Sequence, residues 1–441
     1  MESVWRRGMA VAAGLCLLLS ACAVNPPAEA VFVPAEVYVP LVTTLEPTPT
    51  PVSTPSLEAL PTPNPPRGSG KFVPDGTNGL SPAQADLLVR FLTMYYEALA
   101  RLETPDPAAF ILAESADAVI AAARLQAVWE SVVAIRQMQS VDLHLLSYEF
   151  TLTCDNIIPQ EDGSIHVYLL EDSVLRFAAH PDADAAQMNV RHIVSLLGTA
   201  DAPLMEDYHK ADAIYGAMLE RLYQEEETPE RSREELLAHM QEQKKALLDE
   251  ARANLAFVTA PKPVETVEAY TQEYDREAAV AYAREWVGKR NPDWFDYAQY
   301  GGNCQNFASQ VLLAGGIPMD TSGSAVWKWY SDVPNQNAVA AGRSATWTGA
   351  DAFFTYADEN GGKGLAAVAD APFFTGAPGD LIALGLDDEI RHVVVITDVV
   401  YDENGNVIDY LIASNTTDQM DYPVSAYSYT RRRLIKIYGW N

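Results

Sequence analysis

Between Ala269 and Asn441 the chain contains one cysteine, Cys304, and one histidine, His392. That scarcity restricts the chemistry the segment can do. A tetrahedral zinc site would need carboxylates to complete its shell, so no metal is expected. A serine triad would also draw on His392, and no Gly-x-Ser-x-Gly elbow occurs. What remains is a Cys–His pair. In such a pair the imidazole takes the thiol proton, or holds it as an imidazolium beside a thiolate. The thiolate would attack an amide carbonyl, and water would hydrolyse the thioester. No cofactor is required.

The pattern around each residue indicates the element that must carry it. Gly302-Asn303-Cys304-Gln305-Asn306 reads as a loop feeding a helix, with Phe307, Ala308, Val311 and Leu312 forming one apolar stripe behind the thiol. A helix N-terminus stabilises a thiolate over a thiol. It also offers the Cys304 N–H as an oxyanion donor, with Asn303 or Gln299 as candidates for a second. His392 opens a strand running to Tyr401, Asp402 to Asn406 turn the chain, and Val407 to Ser414 return. If Tyr401 pairs with Asn406, His392 lies opposite Asn415. If the turn is the tighter Asn404-Gly405 form, Asn415 is a diagonal neighbour on the same face. The intermediate register sends Asn415 to the other face, because side chains alternate. In the first two registers Asn415 orients the imidazole. Asp380 opens the preceding strand, either as a buried support or as a strand-end carboxylate.

The rest of the 441 residues divides by composition. Arg6 and Arg7 precede an apolar run from Met9 to Leu19, and Leu19-Ser20-Ala21-Cys22 resembles the lipobox of bacterial lipoproteins. Residues 1–22 are therefore expected to be a lipoprotein signal peptide, with lipid on Cys22 anchoring an exported protein to the membrane. Residues 23–78, rich in Pro and Thr, read as a tether of extended polyproline conformation. Residues 79–258 show helices followed by strand-like runs, an α+β pattern whose order resembles the cone-shaped folds related to nuclear transport factor. Its six histidines have no metal-ligand spacing and read as surface or satisfied structural residues. Residues 259–268 form a linker, and residues 269–441 a second, separate α+β domain. Cys154 and Cys304 are the cysteines left to the mature protein, and a bridge between them would silence Cys304. The net charge of −30 argues against nucleic acid as a partner.

Several motifs taken in order resemble the bacterial putative-amidase domain. They are Tyr274-Asp275-Arg276, the alanine-rich run to Ala283, the block from Asn303 to Gln310, Gly315-Gly316 and Trp327. Thr346-Trp347, Gly379-Asp380-Leu381-Ile382, His392 and Tyr422-Pro423 complete the set. The match covers the last domain. The family is similar to papain-like cell-wall hydrolases, which implies a cysteine-bearing helix packed on an antiparallel sheet that carries histidine. By this resemblance Cys304 is nucleophile and His392 base. Two departures stand out. The family usually has aspartate before the cysteine and threonine after it, where this chain has Asn303 and Gln305. Its third polar position is often histidine, and here it is Asn415.

The leading expectation is thus a membrane-anchored, extracytoplasmic cysteine amidase or peptidase acting on a peptide substrate such as peptidoglycan. Two others stand beside it: a surface lipoprotein that binds a partner with an inert amidase fold, and an acyl transferase using the same residues.

Overall fold

The computed structural model describes residues 66–74, 79–111, 115–223, 231–264, 267, 270–322, 326–360 and 363–441. The signal peptide, Cys22 and most of the tether lie outside the described residues. One piece of the expected tether does not. Gly68–Val73 forms strand β1, parallel to β2 (Leu145–Pro159). A side chain at Gly68 or Gly70 would collide with Tyr148 or Phe150, so glycine lets this strand lie close against their rings.

The first half follows its local signals. Helix α1 (Pro82–Ala100) starts with proline in its first turn and a full capping box between Ser81 and Gln84. Helix α2 (Ala116–Gln137) is capped by Ser115. It is apolar around most of its circumference and mostly buried, as a core helix must be. Strand β2 then begins a meander with β3 (Ile165–Phe177), β4 (Ala185–Thr199) and β5 (Ala202–Lys210). Helix α3 (Ala213–Tyr223) and helix α4 (Arg233–Thr259) follow, the latter opened by the Ser232–Glu235 capping box.

The second half adds the short β6 (Gln272–Glu273) and β7 (Leu365–Ala371), which pair with β12, and then β8 (Leu381–Leu386), β9 (Glu389–Tyr401), β10 (Val407–Ser414), β11 (Asp418–Pro423) and β12 (Arg431–Trp440). These join the meander in one sheet, ordered β1-β2-β3-β4-β11-β10-β9-β8-β12. Ala186, Gln187 and Met188 of β4 pair with Met420, Gln419 and Asp418 of β11. The expectation of two separate domains therefore gives way to a shared sheet. The physical reason is that β5 reaches only to His192 of β4, leaving backbone groups from 186 to 188 that β11 satisfies. One apolar core also crosses the boundary, with Phe91 and Trp129 in the same cluster as Ile382, Ile412 and Leu434.

A second core lies on the opposite face of β8 to β10. Helices α5 (Arg276–Trp286), α6 (Cys304–Ala314), α7 (Ala345–Thr348) and α8 (Ala350–Glu359) cover it. Cys304, Phe307 and Val311 pack there with Val393, Val395, Ala413 and the tryptophans Trp327 and Trp347. Successive residues of β9 alternate between these two cores.

Candidate active site

Gly301 and Gly302 both have positive φ and swing the chain into α6, whose first residue is Cys304. Cys304 is fully buried. The loop ahead of it is held by Asn303. Its side-chain Oδ1 accepts from the Tyr297 N–H (3.1 Å) and from the Asn306 side-chain amide (2.9 Å). Its side-chain amide donates to Asn415 Oδ1 at 2.8 Å, and its backbone N–H donates to the Thr416 hydroxyl. Behind the helix, Ser309 accepts from Trp327 Nε1 and Asn306 Oδ1 accepts from Trp347 Nε1, so polar residues of α6 lock the tryptophan stack. Gln305 faces inward too, donating to Ser309 Oγ at 3.1 Å, while its own Oε1 is buried without a partner.

The hairpin takes the register that separates His392 from Asn415. Tyr401 pairs with Val407, because Asp402 accepts from the N–H groups of Asn404 and Asn406 and tightens the turn (2.8 Å each). A bulge shifts the pairing by one residue, and a second restores it, so Ala413 faces Val395 at the far end. Ser414 therefore shares a face with His392, and its Oγ lies 2.9 Å from His392 Nε2. The imidazole stacks on Tyr429 with ring centres 5.7 Å apart and planes 11° off parallel. Val394 and Ile396, two and four residues on, point into the core shared with α1 and α2; Val393 and Val395 point to Cys304.

The expected triad is thus corrected. Asn415 does not orient His392; Ser414 does. Cys304 and Asn415 belong to one face of the sheet and His392 to the other. Burial, with no charged partner, pushes His392 down to about 4, so it is neutral at physiological pH. A sequence signal for Ser414 existed: it precedes Asn415 by one residue, and neighbours in a strand face opposite sides.

The supporting candidates separate as well. Gln299 is exposed on a short turn ahead of the helix. Asp380 is a buried structural tie, accepting from Arg276 (2.9 Å), from the Ile437 N–H (2.8 Å) and from the Ala377 N–H (2.9 Å). Burial raises its pKa, while Arg276 and the two N–H groups oppose that rise. It holds the start of β8 to α5 and β12, away from the imidazole. Cys154 is not joined to Cys304; its thiol donates to the Asn156 carbonyl on β2. Two histidines of the first half are tied to buried carboxylates: His192 lies 2.9 Å from Glu171 and His180 lies 3.0 Å from Asp409.

One cavity on the His392 side is bordered by residues near both faces of the sheet. Its lining includes His392, but also Gly301, three residues before Cys304, and Thr416, whose hydroxyl holds Asn303. On the Cys304 side, Asn303, Asn306, Phe307 and Asn415 line a smaller recess floored by Trp286 and Trp294.

Residues 273–438 match the family model described as "Putative amidase domain". Over 140 residues the chain is 34% identical to YhbB, an uncharacterized protein of Bacillus subtilis (strain 168). The shared stretch is 31% of this chain and 40% of that relative, so the chain spans less than half the length of the curated relative it matches. No solved structure matches the chain significantly.

Proposed function

We propose that the chain hydrolyses amide bonds through Cys304, outside the cytoplasm and anchored to the membrane by lipid on Cys22. The observation that carries the activity is the amidase-domain match over residues 273–438, with Cys304 as the first residue of a buried helix inside it. When Cys304 is reduced, a helix N-terminus favours its thiolate, and the Cys304 N–H is the donor offered to the oxygen that becomes negative in the tetrahedral intermediate. The sulfur bonds to the carbonyl carbon, the amine leaves with a proton, and water cleaves the thioester to regenerate the thiol. The anchor rests on the Leu19-Ser20-Ala21-Cys22 sequence alone. Peptidoglycan stem peptides as substrate rest on that location and on the resemblance to cell-wall hydrolases.

The geometry attaches a requirement to His392. To serve as base, its ring must leave Ser414 and Tyr429 and reach the Cys304 face. Capture of a thioester decides the matter. The reduced full-length protein, mixed with a short amide or peptide substrate and quenched in acid, should show the acyl mass on the Cys304 peptide. A labelled peptide containing any other residue, with Cys304 unlabelled, would overturn the assignment.

One observation favours a second reading, a binding protein with an inert amidase fold. Two of the three positions where this chain departs from the family, Asn303 and Asn415, touch each other beside Cys304. An Asp–His pair there could move a proton, whereas two amides cannot. Saturable binding of wall fragments with no turnover, in a protein whose Cys304 is reduced, would select this reading.

A further inference from the structure

On the His392 side of the sheet, α1, α2 and the strands β4, β5 and β11 enclose a cavity of about 150 Å³. Its character is unusual for a chain of net charge −30: the walls carry Arg136, Arg191, Lys210, Arg290 and Arg391 against the acids Asp212 and Asp418. Both acids are already engaged. Asp212 accepts from the N–H groups of Ile214 (3.0 Å) and Tyr215 (3.3 Å) at the start of α3, and Asp418 pairs with Arg290 at 3.1 Å. Arg391 is likewise committed, to Glu220 and to Glu389.

Arg136 is not. It is 5% exposed, and among the described residues only Nη2 of its three nitrogens has a partner, the Tyr422 hydroxyl at 3.0 Å. Nε and Nη1 are buried with none. The guanidinium is steadied over the Phe177 ring, 5.8 Å from its centre. Lys210 lies over the Tyr95 ring at 5.1 Å, with the carboxylates of Glu171 and Asp212 acting on it at longer range, and among the described residues neither Lys210 nor Arg191 forms a close ion pair. A buried guanidinium with unmet donors is costly unless something answers it, and a carboxylate answers it with charge-assisted bonds.

We propose that this cavity binds the carboxylate of a small organic acid or of a peptide C-terminus, held by Arg136 with Lys210. Space of this size takes a group about as large as benzene, so one terminal residue enters and a polymer does not. Tyr95, Tyr427 and Tyr429 offer ring surface to its apolar part. The inference is independent of amide hydrolysis and stands if Cys304 proves inert.

Calorimetry on the full-length protein in detergent tests it, using acetyl-alanyl-alanine, the same peptide as its C-terminal amide, acetate and inorganic phosphate. The free acid should bind saturably and the amide at least tenfold more weakly. Arg136→Gln should weaken the acid at least tenfold and leave the amide unchanged, with Arg136→Lys in between. Should Arg136→Gln fail to fold, Lys210→Gln decides by the same criterion. Acetate binding as tightly as the peptide assigns the site to small acids, and weaker acetate assigns it to peptide ends. Equal binding of acid and amide, no saturable binding, phosphate outbinding the acid, or substitutions without effect would each overturn the proposal.

Discussion

Asn303 donates its side-chain amide to Asn415 across 2.8 Å, and that bond fixes which side of the sheet Asn415 serves. It ties the loop before Cys304 to the β10–β11 turn, on the face away from His392. Among the described residues Asn415 Nδ2 is buried with no partner, so the Asn415 amide is only half satisfied.

Replacing this amide pair with an acid–base pair should activate the thiol. In Asn303→Asp combined with Asn415→His, the imidazole sits on the Cys304 face with a carboxylate to orient it. The alkylation rate of reduced Cys304 at neutral pH should rise roughly tenfold, with a new inflection near the histidine range. Asn415→His alone should give a smaller rise. Identical pH profiles for wild type and double variant would place Asn415 away from the thiol.

His392 links stability to acid. Burial holds its folded pKa near 4, against about 6.5 when unfolded. Between those values the unfolded chain binds the proton and the folded one does not. The stabilising effect is therefore complete above pH 6.5 and lost as pH falls toward 4. The shift corresponds to about 3 kcal/mol. His192 is lowered by burial as well and contributes in the same sense. His392→Gln should remove its own share, so its urea midpoint should fall less than wild type between pH 6.5 and 4. Parallel curves would mean that the imidazole is charged or solvated in the folded state.

Asp380 carries a different load. Asp380→Ala would strand Arg276 and two buried N–H groups at the junction of α5, β8 and β12, at a cost of roughly 3–5 kcal/mol. Asp380→Asn keeps acceptor oxygen in place and should cost less. Urea unfolding measures both; a loss under about 1 kcal/mol for alanine would show that water or neighbours take over its bonds.

The parts of this molecule written in local chemistry were legible. Ser81-Pro82, and Ser232 with Glu235, announced α1 and α4, and Gly302 with the Cys304 stripe announced α6. The runs from Ile165 to Leu170 and from Val174 to Ala179 are one strand, β3, because its polar Glu171 and Ser173 are buried in a side-chain network that takes in Tyr96 and His192. What the sequence concealed is pairing between distant segments. Nothing local tells β4 that β11 will take its free edge. The face of Asn415 likewise depends on two bulges in a hairpin whose ends and turn allow three registers. A one-residue difference there placed Asn415 on the face away from His392.

The most direct measurement is turnover of a peptide amide by the reduced full-length protein beside Cys304→Ala and Cys304→Ser. The account predicts hydrolysis by wild type and a fall of roughly a thousandfold or more in both variants, with folding and calorimetric carboxylate binding unchanged. Hydrolysis that persists in Cys304→Ala would contradict it.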